Sequence, residues 1–343
     1  MGKPADPMNV AMIGIGMVSS TYVDAFARSD RARLHGIYAR SADSRAQFLE
    51  ENPGPINYAS LEELADDPVV DFVILTTPPN ARLEIVSTLA KAGKHILMEK
   101  PVERTYSAAR ELCDICDAAG VTLGIVLQHR ASVPAQKMRE LVDGGTLGAL
   151  HMVDLNVSWW RPQSYYDEPG RGTYERDGGG VMLTQAIHPL DLMLSFTGPV
   201  SHVTAMTATT AFHRMESEDF VSAGLVFENG AVGSVLNTTA AFPGRPEQLA
   251  LHYENASVEL ARGELKVHYQ TGQTESFGAS AGSGSGADPM AFSSDLHRGM
   301  IEDFAQSLRS DSPPMVTGRE ALEVHRLIEA LENSGKSGQK ISL

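Results

Sequence analysis

The sequence predicts an α/β protein with an N-terminal doubly wound parallel sheet and a C-terminal α/β domain built on a large open, mainly antiparallel sheet. From residue 9 to about residue 124, short apolar runs alternate with helix-length segments, a pattern typical of right-handed β-α-β units. After about residue 130 the segments become longer and alternate in polarity, as antiparallel strands do. These observations predict two domains, residues 1–130 and 131–343.

In the first domain, continuous apolar runs such as Val-Ala-Met-Ile and Phe-Val-Ile-Leu predict strands that are buried on both faces. The segments between these runs have the length and composition of covering helices. The predicted strands are 10–15, 34–38, 69–76, 95–98 and 122–127, and the predicted helices are 19–28, 41–51, 81–92 and 108–120.

In the second domain, a helix-like stretch at 180–196 interrupts the strands, and an amphipathic helix at 318–332 precedes a terminal strand at 340–343. The Gly/Ser-rich segment 278–287 is predicted to be a mobile loop. Asn229-Gly230 indicates a type I′ hairpin turn between two strands. The strands predicted from alternating polarity are 151–158, 202–208, 221–227 and 231–238.

The acidic composition of the chain excludes some classes of binding partner. The chain has 28 Lys and Arg residues against 43 Asp and Glu residues, a net charge of −15, which repels phosphate backbones and anionic membranes. No apolar stretch approaches the roughly 20 residues that span a bilayer, and residues 1–7 lack the apolar core of a secretion signal. We therefore expect a soluble cytoplasmic protein that binds a small molecule and neither a nucleic acid nor a membrane.

Cys113 and Cys116 form a lone C-x-x-C. A zinc site would need a second pair, and a redox dithiol would sit at a helix start, whereas these cysteines lie inside a predicted helix. Packing of two reduced thiols is therefore the favoured interpretation.

His188 and Asp191 could suggest a metal, but two ligands without a third are insufficient. We predict no metal.

The turn Gly14-Ile15-Gly16-Met17-Val18-Ser19 lies between the first predicted strand and the first predicted helix. Its glycines allow close approach of the backbone to a pyrophosphate, and the helix N-terminus supplies oriented N–H groups. Ser19 occupies the third position of G-x-G-x-x-G, so the motif is imperfect. Its place at the first strand of an alternating domain predicts a dinucleotide site with contacts from Gly14, Gly16, Met17 and Val18.

The end of the second predicted strand indicates which dinucleotide binds. An NAD site places an acidic residue there for the ribose 2′-hydroxyl, but the sequence reads Tyr38-Ala39-Arg40-Ser41. The guanidinium of Arg40 and the hydroxyl of Ser41 suit a 2′-phosphate. NADP(H) is therefore preferred. NAD(H) stays open, because Arg40 could equally be a solvated residue at a helix start, near Asp43.

Glu99-Lys100-Pro101 follows the apolar run 95–98. The carboxyl end of a strand is where open α/β sheets bind ligands. A proline after the lysine constrains the backbone there, and a cis peptide bond is one way in which it can do so. Lys100 is therefore the first candidate for a catalytic residue.

Taken together, the motifs resemble those of the Gfo/Idh/MocA oxidoreductase family, which includes glucose–fructose oxidoreductase and inositol dehydrogenase. The resemblance runs over nearly the whole chain. The residues that carry it are Gly14-Ile15-Gly16, Thr77-Pro78-Pro79-Asn80, Glu99-Lys100-Pro101, Gln128-His129-Arg130, Asp177-Gly178-Gly179-Gly180, Gln185-Ala186-Ile187-His188-Pro189-Leu190-Asp191 and Gly318-Arg319-Glu320-Ala321-Leu322.

The resemblance implies an NAD(P)-dependent enzyme that acts on a hydroxyl or ketone of a sugar, cyclitol or sugar acid. It implies that Lys100 lies beside the nicotinamide, that Glu99 contacts the cofactor ribose, and that His188 reaches the reacting carbon from the second domain. In this family the open sheet often forms the oligomer contact, so a homodimer or homotetramer is expected. The further cofactor-binding residues that the resemblance implies are Thr77, Pro78, Asn80 and Gln128.

Oxidation of an alcohol needs a group that removes the hydroxyl proton, while the cofactor does the redox step. A lysine whose pKa is lowered by desolvation can do this, as can a histidine, so Lys100 and His188 are the candidates. The family commonly has an aspartate four residues before the histidine, where it orients the imidazole. This chain has Thr184 there. Because a threonine hydroxyl cannot stabilise an imidazolium as a carboxylate does, part of the proton transfer is expected to fall to Lys100, or the stabilising carboxylate to be Asp191.

Substrate contacts are predicted in and around a polar, glycine-rich loop. Tyr165, Tyr166 and Arg171, together with Arg161 and Thr184, could hydrogen-bond sugar hydroxyls or a carboxylate. Packing of the two tyrosines against the sheet is the alternative. Two other functions also stay open, namely glycoside cleavage through a transient keto intermediate and non-catalytic regulation by a dinucleotide-binding protein.

Overall fold

A parallel sheet forms the centre of the first of two structural units. The computed structural model describes residues 6–278 and 293–343, and within them the first unit comprises residues 6–103, 107–128 and 293–322. The strands of its sheet are β1 (Met8–Ile13), β2 (Ala32–Tyr38), β3 (Ile56–Asn57), β4 (Phe72–Leu75), β5 (His95–Glu99) and β6 (Leu123–Val126).

The strand order of this sheet is β3-β2-β1-β4-β5-β6, with every neighbouring pair parallel. The order reverses between β1 and β4, and such a switch point is where open α/β sheets bind ligands at the carboxyl ends of their strands. All residues of β4 are fully buried, as the continuous apolar run predicts. The predicted doubly wound parallel sheet is confirmed.

Helices connect these strands at nearly the predicted positions. β1 ends two residues before its predicted end, because Gly14 turns the chain with a φ of 96°. β3 and α3 were not predicted, since both are too short to show periodicity. The helices along this part of the chain are α1 (Ser19–Ala27), α2 (Ala42–Glu51), α3 (Leu61–Asp66), α4 (Arg82–Lys91) and α5 (Tyr106–Ala119).

The second unit comprises the described residues 104–106, 129–278 and 323–343. Its helices α6 to α9 precede most of its strands. The helices are α6 (Val133–Asp143), α7 (Gln163–Tyr166), α8 (Val181–Thr184) and α9 (Ile187–Thr197). The strands are β7 (Leu150–Ser158), β8 (Val200–Ala208), β9 (Phe220–Phe227), β10 (Val232–Thr238), β11 (Gln248–Tyr253), β12 (Ala256–Ala261), β13 (Glu264–Tyr269) and β14 (Thr274–Gly278).

The C-terminal residues form α10 (Asp295–Ser310), α11 (Gly318–Ser337) and β15 (Ile341–Ser342). With β15, the second sheet has nine strands in the order β14-β13-β12-β11-β7-β10-β9-β8-β15. The pair β7 and β10 is parallel, and the other pairs are antiparallel. The predicted large, mainly antiparallel sheet is confirmed. β11 to β14, α6 and α10 had not been predicted.

Residues 293–322 differ from the predicted division of the chain. The sequence assigned them to the second domain, whereas the structure packs them in the first unit. The reason is that α10 contacts α1, β2 and β6. An ion pair of 2.5 Å between Arg28, directly after α1, and Asp295 of α10 lies in this contact.

The predicted helix 180–196 is two helices. Thr184 ends α8 and Ile187 begins α9. A continuous helix would need an N–H at Pro189 to bond the carbonyl of Gln185, and proline has none. Pro189 is instead tolerated in the first turn of α9, where backbone N–H groups lack helical partners in any case.

Three smaller expectations had mixed outcomes. A hairpin joins β9 and β10 at Asn229-Gly230, but only Gly230 has a positive φ, 88°, so the predicted type I′ turn is wrong. The predicted loop 278–287 lies outside the described residues beyond Gly278. Among the helices of the described residues, each is too short or too polar to cross a membrane.

Candidate functional site

The glycine turn lies at the carboxyl end of β1. The Gly14 N–H donates to the Tyr38 carbonyl at 2.9 Å, and a Cβ at Gly14 would come within 2.8 Å of Thr76 Oγ1. A Cβ at Gly16, in contrast, would meet nothing within 4 Å. α1 begins directly after this turn without a side-chain cap on its N-terminal N–H groups. The turn therefore combines an open surface at Gly16 with a helix N-terminus, as binding of a pyrophosphate requires.

The neighbouring loops contain two buried oxygen atoms that could accept or donate hydrogen bonds to a dinucleotide. Thr77 follows β4 and Gln128 follows β6, and their Oγ1 and Oε1 atoms are buried without a hydrogen-bond partner within the described residues. Buried polar atoms are nearly always paired, so both positions fit a ligand that offers hydrogen bonds. Met17 in the glycine turn, and Pro78 and Asn80 in the loop after β4, are exposed and therefore accessible to a cofactor. The residues of the first unit thus fit the predicted cofactor.

Arg40 and Ser41 are exposed at the end of β2, as a contact to a ribose 2′-phosphate would need. Ser41 Oγ accepts the Ser44 N–H at 3.1 Å and caps α2. Arg45 supports this loop, because its buried guanidinium donates to the Ala39 carbonyl. Sequence reasoning missed Arg45, since an arginine inside a polar helix gives no sign of burial.

Lys100 lies in the turn after β5, and its bond to Pro101 is cis. The preceding Glu99 is buried, with Oε2 accepting the Lys100 N–H at 3.1 Å and Oε1 accepting the Tyr22 hydroxyl at 2.7 Å. His297 Nε2 lies 3.6 Å from Oε1. Burial raises the pKa of the Glu99 carboxyl, but the hydrogen bond and charge of His297 and the charge of Lys100 outweigh it and hold the pKa below its usual value.

Arg82 binds the backbone on both sides of Lys100, and sequence reasoning missed it. It is 1% exposed and donates from Nη1 to the carbonyls of Glu99 at 2.6 Å and Pro101, and from Nε and Nη2 to that of Thr77 at 3.1 and 2.8 Å. An arginine at the start of a helix after Pro-Pro-Asn reads as a solvated residue, so only the fold reveals its burial. The Lys100 turn and the Thr77 loop share this one side chain.

His188 lies in the first turn of α9 in the second unit. It is 6% exposed, and its ring stacks on His129 with 5.0 Å between centroids and 25° between planes. The Asp191 carboxylate accepts two hydrogen bonds from Arg130, at 2.8 and 2.6 Å. Because Arg130 neutralises Asp191, this carboxylate is less able to stabilise an imidazolium. From the sequence, His129 belongs to the Gln128-His129-Arg130 motif but has no predicted role.

Four of the predicted substrate residues form one cluster in the second unit. Thr184 Oγ1 hydrogen-bonds Gln185 Oε1, and Gln185 Nε2 donates to the Tyr165 hydroxyl at 3.3 Å. Two guanidinium groups lie over the Tyr165 ring, with Arg171 at 4.1 Å and Arg161 at 5.7 Å from its centroid. The cluster offers cationic and hydroxyl groups, which suit sugar hydroxyls or a carboxylate.

Tyr166 packs edge-on against the Tyr165 ring, with 5.0 Å between the ring centroids, but its hydroxyl is bound outside the cluster. Its hydroxyl bonds Thr239 Oγ1 at 2.7 Å, and its ring packs 4.8 Å from that of His213. The contact matches the packing alternative, so a substrate role for Tyr166 stays a prediction. Trp159 is buried and Trp160 is half-buried against Phe212, consistent with opposite faces of the strand.

A buried carboxyl group, that of Glu218, binds the backbone where the glycine triplet meets α8. Glu218 Oε2 accepts the Gly180 N–H at 3.1 Å, and Oε1 accepts the Met182 N–H at 3.2 Å. A Cβ at Gly180 would stand 1.8 Å from the Glu218 carbonyl oxygen, so only glycine fits. Burial, with a smaller contribution from Glu332, raises the pKa of Glu218 to about 7. Sequence reasoning missed this cap on the helix that carries Thr184.

Both cysteines pack inside the helix in which the sequence places them. Cys113 and Cys116 are free and buried in α5, as the packing interpretation expects, and burial raises the pKa values of their thiols to about 11 and about 12. In the parts of the chain that are described, no three His, Cys, Asp or Glu side chains form a group able to hold a metal ion. The absence of a metal stays a prediction.

Comparison with known proteins gives consistent matches. The profile of an oxidoreductase family with an NAD-binding Rossmann fold matches residues 8–126, and that of the GFO/IDH/MocA C-terminal domain matches residues 135–259. The myo-inositol 2-dehydrogenase of Thermotoga maritima is 26% identical over 71% of this chain and 72% of its own length. An uncharacterized oxidoreductase of Schizosaccharomyces pombe is 26% identical over 62% of this chain, and the match spans 59% of that relative.

Among solved structures, the WlbA dehydrogenase of Bordetella pertussis, in complex with NADH and UDP-GlcNAcA, is similar over 98% of this chain and 99% of its own. The sequence identity is 28% and the TM-score is 0.82. The similarity therefore extends over both units.

Proposed function

The chain belongs to the GFO/IDH/MocA oxidoreductase family, and on that premise we propose that it transfers a hydride between a nicotinamide cofactor and a secondary hydroxyl or ketone of a sugar, cyclitol or sugar acid. One observation carries the proposal. The glycine turn, the Thr77 loop and Lys100 follow β1, β4 and β5, so they share the carboxyl edge of one parallel sheet at its switch point.

The cofactor would be held by this edge. Gly14, Gly16 and the start of α1 would bind the pyrophosphate, and Thr77 and Gln128 would offer their buried oxygens to the nicotinamide half. Bound there, the cofactor accepts or donates the hydride. Exposed Arg40 and Ser41, in place of an acidic residue, support NADP(H) over NAD(H). The alternative is NAD(H), since the similar WlbA dehydrogenase was solved with NADH.

Proton transfer would fall to Lys100 or His188. When the alcohol is oxidised, the hydroxyl proton goes to the base; in reduction, the same group returns the proton to the ketone oxygen. Lys100 is favoured, because the position that commonly holds a carboxylate before the histidine is Thr184 and Asp191 is neutralised by Arg130. His188 would then mainly position the substrate.

The substrate would carry an anionic group. Arg161 and Arg171 lie over the Tyr165 ring, and Arg171 also pairs with Glu168 at 3.3 Å. Arginine binds a carboxylate through charge-assisted hydrogen bonds, so a substrate carboxylate would compete with Glu168 for Arg171. The ligand of the similar WlbA structure, UDP-GlcNAcA, supports a sugar acid as the class to test first. Neutral sugars and cyclitols are the comparison set.

A cofactor assay tests the proposal. The purified protein is incubated with NADP⁺ or NAD⁺ and a panel of sugar acids, neutral sugars and cyclitols, and reduced nicotinamide is followed by absorbance. We expect reduction with at least one compound, faster with NADP⁺. Tight cofactor binding without reduction across the panel would contradict the proposal. Release of an aglycone without net cofactor change would instead indicate the glycoside-cleaving alternative.

The second sheet supports a homodimer or homotetramer. Met152, Val232 and Val226 are cross-strand neighbours on one face, and they are 46%, 52% and 36% exposed. Adjacent exposed apolar side chains of this kind mark interaction surfaces. Light scattering after size exclusion should give a dimer or tetramer for the wild type and a smaller species for Val232→Lys. A monomeric wild type would contradict this.

A further inference from the structure

A buried arginine joins two loops of the first unit. The guanidinium of Arg82 donates to the Thr77 carbonyl in one loop and to the Glu99 and Pro101 carbonyls in the other. Its N–H groups are held in a rigid plane. The plane therefore fixes the spacing between the Thr77 loop and the Lys100 turn, which follow the neighbouring strands β4 and β5.

The guanidinium remains charged in this position. Burial lowers the pKa of Arg82 to about 10, and the carboxylates of Glu99 and Glu103 oppose the fall. At neutral pH the side chain is thus a cation balanced by buried carboxylates. A lysine could carry the charge, but its ammonium is a point donor that cannot reach both loops at once.

Glu99 binds a different backbone group of the same turn. Its carboxylate accepts the Lys100 N–H, and it is itself bound by the Tyr22 hydroxyl of α1. The Tyr22 ring meets the His297 imidazole edge-on at 5.3 Å, and that imidazole lies beside the same carboxylate oxygen. The backbone N–H of Lys100 and the carbonyls on either side of it are therefore bound by buried side chains.

We propose that Arg82 is a positioning residue for Lys100. It sets where the lysine turn lies relative to the Thr77 loop through the backbone carbonyls, while Glu99, itself bound by Tyr22 and His297, holds the Lys100 N–H. The proposal rests on the proposed function, because Lys100 needs a fixed position only if it acts on a substrate. Without the guanidinium, the Glu99 and Pro101 carbonyls lose their donor and the turn can shift.

The test compares Arg82→Gln with a matched control, Lys94→Met. Lys94 is also a buried cation of the first unit, 8% exposed, and it donates to the carbonyls of Asp67 and Val70 at 2.5 and 3.0 Å. It precedes β5, whereas Lys100 follows it, so it lies at the opposite end of that strand. A loss that comes from general destabilisation should be similar in both variants.

Two measurements are made on each variant. The first is kcat and KM of the enzyme with cofactor and substrate. The second is hydrogen–deuterium exchange of the peptide containing Lys100, in the protein without cofactor. For Arg82→Gln we expect kcat about a hundredfold lower with KM changed less than about threefold, and exchange of the peptide about tenfold faster. Lys94→Met should leave both close to wild type.

Equal losses of kcat in Arg82→Gln and Lys94→Met, or unchanged exchange of the Lys100 peptide in Arg82→Gln, would overturn the proposal. Tyr22→Phe keeps it testable if Arg82→Gln does not fold. This variant removes one hydrogen bond to Glu99 and keeps the ring, so kcat should fall about fivefold with faster exchange of the same peptide. Wild-type values of both would count against the proposal.

The proposed function can fail separately. In that case the wild type itself oxidises no sugar, sugar acid or cyclitol, which is seen before any variant is compared. Failure of the positioning role requires an active wild type together with an Arg82→Gln variant that behaves like Lys94→Met.

Discussion

The Lys100 turn in the first unit and the His188 helix in the second unit fix their key residues in opposite ways. Around Lys100 the backbone is bound, because Glu99 accepts its N–H and Arg82 donates to the carbonyls of its two neighbours. His188 is held through its ring, which is buried and stacked on His129. The first arrangement anchors a long side chain at its base, whereas the second orients a short, rigid one.

This difference favours Lys100 as the proposed proton-transfer residue. A lysine on a fixed backbone can still adjust its terminal ammonium group, so it can follow an oxygen atom as that atom changes from hydroxyl to ketone. A stacked imidazole keeps one orientation, which suits positioning. The carboxylates differ as well, since Glu99 is part of the Lys100 turn while Asp191 is neutralised by Arg130.

The largest effect on the His188 region is expected from Gly180→Ala. The new Cβ would stand 1.8 Å from the Glu218 carbonyl oxygen, so the backbone before α8 must move. We expect the free energy of unfolding to fall by about 3 kcal/mol or more, measured by urea denaturation. In the control Gly224→Ala the Cβ meets nothing within 4 Å, and a change below about 0.5 kcal/mol is expected. Similar changes in the free energy of unfolding for the two variants would contradict the claim that only glycine fits at position 180.

The largest effect on the Lys100 region is expected from Lys100→Ala. Loss of the amine should lower kcat about a thousandfold, the usual range for a general acid or base. Cofactor affinity, measured by nicotinamide fluorescence, should change by less than about threefold, because the predicted pyrophosphate and adenine contacts lie on other strands. Unchanged turnover would exclude Lys100 as the proton-transfer residue.

A smaller effect, specific to pH, is expected from Glu218→Gln. The pKa of Glu218 is about 7 in the folded chain, above the usual 4.5 of a glutamate carboxyl. The unfolded chain therefore loses its proton first as pH rises, so this group's contribution to stability is present below about pH 4.5 and is lost as pH rises through about 7. Glu218→Gln should flatten this decline, measured as Tm from pH 4.5 to 8. The exposed control Glu228→Gln should keep the wild-type decline, and a decline shared by all three proteins would refute the assignment.

The smallest effect is expected from Arg40→Ala at the edge of the first unit. Removal of one charge-assisted hydrogen bond should weaken NADP(H) binding about tenfold and leave NAD(H) binding nearly unchanged. Fluorescence titrations with both cofactors measure this, with exposed Arg110→Ala as the control. Equal weakening of both cofactors would argue against a 2′-phosphate contact.

Much of the architecture could be predicted because its signals are local. The runs that form β1 and β4 are apolar without interruption, and Gly14 marks the end of its strand. The cluster of Thr184, Tyr165, Arg161 and Arg171 was foreseen as a set of substrate residues but not as contacts, since these depend on how the loop folds.

The missed residues share a physical reason. Arg82 and Glu218 are charged side chains that are buried because backbone groups distant in sequence bond them, whereas Arg45 binds the Ala39 carbonyl in the loop just before its own helix. Their own neighbourhoods in the sequence read as solvated helix starts or loops, and charged residues are usually exposed. The helical spacing of apolar residues in α10 can be seen in the sequence. Its packing in the first unit, however, follows from contacts with α1 that no local pattern contains.

The most direct test of the account is the pH dependence of kcat/KM in His188→Asn beside that in Lys100→Ala. If Lys100 transfers the proton, His188→Asn keeps the wild-type profile at a lower level, and the residual activity of Lys100→Ala loses the limb that reports the base. A profile that loses this limb in His188→Asn and keeps it in Lys100→Ala would contradict the account and assign the proton transfer to the histidine.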